Sequence, residues 1–524
     1  MKTKIVGIFV CMLMIATAIP AVTSLKNSTT NAAVPSHPRT SMAGSWTETQ
    51  KLLASDGGSN DAFGGWTVIS GDTAIVSAPQ HSHNGHYSGS AYVFTRTGST
   101  WTEQTELLPS DGVAEDQFSY CTALDGNTAI VTSLLDDDNG VDSGSAYVFV
   151  RAGTTWTQQA KLLPLDGGAG DHFGFYCALD GDTAVIGANW DSDNGNMSGS
   201  AYVFTRIGTT WTQQAKLLAS DGQAGDRFGG SIAVTGDTAL IGAYYDDDNG
   251  VDSGSMYVFT RTGTTWTEQQ KFHPSDAGAG DTFGGVVSLS GDSVLIGAGG
   301  DNDMGSNAGA AYVFVRNGAN WTQQAKLHAS DGAAGDEFGI WGLSLDGDTA
   351  LIGSFNDDDH GSNSGSSYVF TRTGTTWTQQ QKLLATDGAA GDNFGGWGAI
   401  SGDSALIGAP TDDDNGMNSG SEYVFTKVGL TFSIVGGLGV NLKITNNGTA
   451  NASGVLWQIH VQGGILGRIN RTVNSTIDIP AGVSKKVGTG ILFGLGPLAI
   501  TANVADEQKT ATGTQIIVLS MVKK

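Results

Sequence analysis

Six short loops carry carboxylates at a spacing that suits a hard cation: Asp136-Asp-Asp138-Asn-Gly, Asp191-Ser-Asp193-Asn-Gly, Asp246-Asp-Asp248-Asn-Gly, Asp301-Asn-Asp303-Met-Gly, Asp357-Asp-Asp359-His-Gly and Asp412-Asp-Asp414-Asn-Gly. In Asp-x-Asp-x-Gly, alternate side chains of an extended loop converge while the glycine allows a sharp turn, so both outer Asp of each loop are candidate Ca2+ ligands. Asp, Asn and Gly also form turns without any metal, and no distal Glu supplies bidentate closure. Two readings therefore stand: calcium sites of modest, extracellular-type affinity, and plain turns. A seventh loop puts imidazoles at the outer positions, His81-Ser-His83, which favours a transition metal over calcium unless simple drift of the repeat explains it.

The second candidate set is aromatic. Trp66, Tyr176 and Trp397 fall three residues after a recurring Phe, as does Trp341 in the sixth copy, which carries a one-residue insertion, and Trp190, Tyr244 and Tyr245 follow a Gly-Ala pair. These positions differ between copies of a repeat whose Thr-Arg-Thr-Gly-Thr-Thr-Trp side is nearly constant, the pattern of a scaffold with one recognition face. Such rings stack on sugars or anchor a protein partner. Packing between repeats is the competing reading, above all for Trp66 and Trp397. Catalysis would need a converging nucleophile and base, an acid and base pair, or an open metal site. Here the Asp pairs recur in copy after copy, so no catalytic residue is assigned and the chain is read as a binder, not an enzyme.

The elements that must position these residues repeat with them. Trp-Thr recurs at Trp46, Trp101, Trp156, Trp211, Trp266, Trp321 and Trp377, a period of 55 residues with one step of 56, and the Phe marker at Phe63, Phe118, Phe173, Phe228, Phe283, Phe338 and Phe394. Within the fourth copy the alternation predicts strands from Phe228, from Thr238 to Tyr244, from Ser255 to Arg261 and from Trp266, with a tight turn at Gly236-Asp237. Four strands per unit at this spacing predict an all-β, seven-bladed β-propeller over residues 46–427. Because the first Trp strand precedes the first Phe strand, Trp46 to Leu53 is expected to complete the seventh blade beside Glu422 to Thr426.

Phe-Gly, Gly-Asp-Thr-Ala-Leu-Ile-Gly-Ala and Ser-Gly-Ser-Ala-Tyr-Val-Phe together resemble the FG-GAP repeats of integrin α-chains and of prokaryotic secreted or surface proteins. The resemblance implies an extracellular propeller used for recognition or adhesion. The integrin calcium loop, Asp-x-Asp-x-Asp-Gly before the Gly-Ala-Pro strand, is reduced here to a Gly-Asp or Gly-Asn turn, so that metal site does not carry over.

Composition agrees with export. Lys2 and Lys4, the apolar run Ile5 to Ile19 and small residues to Ser24 read as a signal peptide over 1–24, followed by a linker over 25–45. The run is short for a bilayer span, and neither a C-terminal anchor nor membrane insertion is expected. A net charge of −25 makes nucleic acid and anionic membranes poor partners and leaves an extracellular protein or carbohydrate. Cys121 and Cys177 are one residue out of register in corresponding strands, so they should face opposite sides as buried free thiols. Residues 430–524 alternate as short strands around a Pro480-Ala-Gly turn and are expected to form an immunoglobulin-like β-sandwich. Asn447, Asn451, Asn470 and Asn474 open glycosylation sequons there. The expected function is a secreted or cell-surface recognition or adhesion protein; a lectin or carbohydrate-active enzyme, and a structural surface-layer component, are the alternatives.

Overall fold

The computed structural model describes residues 44–435, 440–446, 448, 451–463, 469–489, 496–505 and 507–515. The expected signal peptide, most of the linker, Asn447 and the end of the last expected strand lie outside these. The chain divides into two compact units, Trp46–Lys427 and Val428–Lys524 with the N-terminal residues to Ser45. No helix occurs among the described residues.

The first unit contains seven four-stranded antiparallel sheets. In the fourth repeat the strands are Phe228–Thr235, Thr238–Ala243, Ser255–Thr262 and Thr265–Phe272, hydrogen-bonded in chain order. Gly236 adopts φ +54°, the left-handed conformation that a two-residue hairpin turn requires. The second strand is buried throughout because other elements cover both its faces, whereas on the outer strand Trp266 is buried between exposed Thr265 and Thr267. The seventh sheet takes its outer strand from the other end of the sequence: Trp46–Leu52 pairs antiparallel with Ser421–Lys427, with Trp46 opposite Lys427.

The core lies between sheets. Val185 and Val203 of the third repeat pack with Phe228, Ile232, Ile241 and Tyr257 of the fourth. Phe228 meets the rings of Tyr257 and Phe259 edge-on, at 5.3 and 5.9 Å. Successive inner strands are neighbours, and the first, Thr67–Ser70, lies beside the last, Gly398–Ser401. An arginine ties six of the seven sheets to the one before, the seventh having Lys427 instead: Arg261 Nη1 donates to Thr183 Oγ1 at 3.0 Å, and Arg96 Nη1 reaches Asp403 Oδ1 of the seventh repeat at 2.7 Å.

The cysteine geometry differs from the sequence expectation. Both thiols are free and buried, but they face each other, with the two Sγ atoms 3.1 Å apart. Register irregularities between Phe118 and Thr122, and between Phe173 and Cys177, release this part of each inner strand from regular alternation. The one-residue offset is thereby absorbed.

The second unit has a three-stranded sheet, from Leu430–Val435, Asn441–Asn446 and Ser484–Gly488, and a four-stranded sheet, from Ala452–Gly463, Ile469–Ile479, Gly496–Val504 and Glu507–Gln515. Leu442 and Ile444 of one sheet share a core with Val455, Trp457, Ile459 and Ala502 of the other. Val483 N donates to Pro480 O, closing the turn read at Pro480.

Candidate functional site

The acidic loops are built around lysine. In the fourth repeat, Lys271 Nζ lies 2.8 Å from Asp221, 2.7 Å from Asp246 and 2.6 Å from Asp248. Tyr257 supplies both a ring beneath the ammonium, 5.1 Å from its centroid, and a hydroxyl donating to Asp221 at 2.7 Å and Asp246 at 3.0 Å. The buried Asp246 also accepts from Ser255 Oγ and from the backbone N–H of Asp248. Lys161 holds Asp111, Asp136 and Asp138 in the same way, and Lys216 holds Asp166, Asp191 and Asp193. Lys326 holds Asp276, Asp301 and Asp303; Lys382 holds Asp331, Asp357 and Asp359; and Lys51, across the seventh sheet, holds Asp387, Asp412 and Asp414.

Each lysine reaches the cluster from an outer strand, because its position five residues after the Trp of Trp-Thr sets it cross-strand from the tyrosine, as Lys271 is from Tyr257. Burial alone would favour loss of its proton, but the carboxylates around it reverse this and raise the Lys271 pKa. Burial likewise opposes ionisation of Asp221, yet hydrogen bonds from Lys271 and Tyr257 outweigh it and hold that carboxyl below its usual range. The point on which the loop carboxylates converge thus already contains a cation. In these six loops a Ca2+ ion and the ammonium group would compete for the same oxygens, and the donor atoms of Asp331, Asp357 and Asp359 lie within 4.8 Å of one another.

The aromatic candidates fall into two groups. Trp66, Tyr176, Trp341 and Trp397 converge around a cavity of about 370 Å³, with Tyr120, Phe175, Gln80, Gln117, Pro410 and Thr411 completing its wall. Trp341 and Trp397 stack with centroids 6.1 Å apart, Trp66 lies 6.5 Å from Trp397, and Tyr176 meets Trp66 edge-on at 4.9 Å. Trp341 is the most exposed of the four, at 38%. The same four rings border a second cavity of about 260 Å³ along the inner strands of all seven repeats, so they form a mouth shared by the two cavities. Among buried side-chain polar atoms, Trp397 Nε1 has no hydrogen-bond partner in the described residues.

Trp190, Tyr244 and Tyr245 form a separate group around Arg227, whose guanidinium lies 5.1 Å from the Trp190 ring and 5.3 Å from that of Tyr245. His172 stacks on Trp190 at 4.2 Å. Burial, with Arg227 nearby, lowers the His172 pKa, so its ring is neutral at neutral pH.

Sequence reasoning missed Tyr120, Phe175 and Arg227. The first two stand two residues after the Phe marker, where four of the other five copies have glycine and the sixth has Ile340, and comparison of that position between copies would have found them.

A family model described as FG-GAP repeat matches the chain seven times, over residues 46–94, 101–149, 156–204, 211–259, 266–314, 321–370 and 377–425. No curated protein matches it.

Proposed function

The chain belongs to the FG-GAP repeat family, and from that premise we propose a secreted or cell-surface recognition protein whose ligand enters the aromatic mouth. In this reading its seven sheets are the blades of a propeller closed by the chain's own first strand, and the second unit is an immunoglobulin-like sandwich. FG-GAP repeats are of a surface and adhesion type, and domains built from them mediate protein interactions. No helix among the described residues is long and apolar enough to cross a membrane. Asn451, Asn470 and Asn474 are exposed, as carriers of glycans would be.

One observation carries the reading: four rings from different repeats, together with Tyr120 and Phe175, surround one apolar cavity that no carboxylate, imidazole, thiol, lysine or arginine lines. Such a wall suits binding, because acid and base catalysis needs titratable groups within reach of the ligand, and the ones here are the phenols of Tyr120 and Tyr176, which burial holds above their usual range. Its few polar groups favour an apolar or aromatic side chain of a protein partner over a sugar, whose hydroxyls would need more acceptors and donors.

An array of purified extracellular proteins and soluble glycans, probed with the fluorescent full chain and with its Trp341→Ala/Trp397→Ala variant, tests this. Binding to a protein, weakened at least about tenfold by the double substitution, is the expected result. Binding confined to glycans would favour a lectin, and binding that survives the substitutions would place the ligand elsewhere.

A further inference from the structure

The first repeat inverts the charges of the cluster that the other six share. Glu106 occupies the outer-strand position of Lys161 and Lys271, while His81 and His83 occupy the positions of Asp136 and Asp138. Asp56 and Tyr92 remain in place, and Tyr92 still donates to Asp56, at 2.8 Å. Three carboxylates around one ammonium have become two carboxylates and two imidazoles. This coupled exchange goes beyond drift of one loop, since it spans residues 25 positions apart in the sequence, from His81 to Glu106.

The geometry is that of ligands around one ion. One donor atom from each of Asp56, His81, His83 and Glu106 lies within 4.8 Å of every other. His83 Nδ1 is 3.3 Å from Glu106 Oε1, and His81 Nε2 is 3.7 Å from Asp56 Oδ2. Two donors on one tetrahedral ion at zinc bond lengths stand about 3.3 Å apart. The second separation is too long for a hydrogen bond and suits a shared ion. Supporting contacts fix three of the four ligands. Asp61 Oδ2 holds His81 Nδ1 at 2.8 Å, which sets Nε2 as the free donor, Tyr92 holds Asp56, and Ser90 Oγ donates to Glu106 at 2.6 Å. His81 is buried, whereas the side chains of Asp56 and His83 are 47% and 40% exposed and can close the remaining distance.

We propose that Asp56, His81, His83 and Glu106 form a single binding site for a divalent transition metal of the zinc type. Two nitrogens and two carboxylate oxygens match the donor preference of Zn2+ and disfavour Ca2+. The lysine that fills this point in the other six repeats is absent here, and the carboxylate that replaces it adds a ligand. The metal then does for the first repeat what lysine does for the others, placing positive charge among the carboxylates and fixing the loop.

The test is calorimetric titration of the metal-stripped full chain with Zn2+, with Co2+ absorption as the report of coordination. The expected result is one equivalent of Zn2+ per chain, tetrahedral Co2+ bands, and affinity reduced at least about a hundredfold in His83→Ala. A second variant, His81→Asp/His83→Asp/Glu106→Lys, rebuilds the arrangement of the neighbouring repeats, so it should fold and bind no Zn2+. A wild-type chain that takes up no Zn2+, or a triple variant that retains its equivalent, overturns the proposal.

Discussion

Lys271 Nζ and Asp246 Oδ2 lie 2.7 Å apart at the centre of the acidic loop of the fourth repeat, and the aspartate is almost fully buried. A surface ion pair of this kind would contribute little, but here one partner is withdrawn from water, so loss of the other would leave a buried carboxylate without a counter-charge. That relationship, repeated in six sheets, sets an ammonium at the point where the loop carboxylates converge.

Lys271→Met should therefore destabilise the first unit by about 3 kcal/mol, because it leaves Asp246 buried without a counter-charge. The same variant should acquire what the parent lacks. With Asp221, Asp246 and Asp248 freed, millimolar Ca2+ should raise its melting temperature while leaving the wild type unchanged. Thermal unfolding of both proteins with and without Ca2+ checks this, and an equal response of the two would contradict it.

Glu422 gives a pH dependence of definite sign. It is fully buried where the other copies have Ala, Ser or Met; Thr67 Oγ1 donates to one carboxyl oxygen at 2.7 Å, and the other oxygen has no partner. Burial pushes its pKa well above the usual 4.5. An acid that binds its proton more tightly when folded stabilises fully below its unfolded pKa, and that contribution is lost as pH rises through the folded value. Glu422→Gln should raise the melting temperature at pH 8 and change it little at pH 4. Melting curves at the two pH values decide it.

Gly254 separates backbone crowding from backbone strain. Its φ is +80°, and a Cβ there would lie 2.0 Å from the carbonyl oxygen of Phe283 in the next repeat. Gly263 has φ +64° with nothing within 4 Å. Gly263→Ala should cost only about 1 kcal/mol of conformational strain, whereas Gly254→Ala should cost at least about 3 kcal/mol, because the contact between repeats must open as well. Urea unfolding of the two variants gives the comparison.

The architecture was legible because it is written seven times. Trp46 preceding the first Phe strand was enough to place Trp46–Leu52 against Ser421–Lys427. The lysine clusters were hidden by distance: Lys271 follows Asp246 by 25 residues and looks, on its strand, like one more solvent-facing polar residue. Their signal was the coupled exchange of Lys for Glu106 with Asp for His81 and His83. Tyr120 and Phe175 escaped because the inner strands lose regular register where these rings sit. In the second unit, Ser484–Gly488 and Gly496–Val504 went unread, the first because a short polar segment carries little periodicity.

The account rests on lysine, not calcium, organising the acidic loops and leaving the aromatic mouth as the place of recognition. Calorimetric titration of the metal-stripped full chain with Ca2+, paired with melting curves with and without the ion, tests it most directly. The account predicts no resolvable calcium heat and an unchanged melting temperature. Several calcium sites with a marked rise in melting temperature would contradict it and return recognition to the carboxylates.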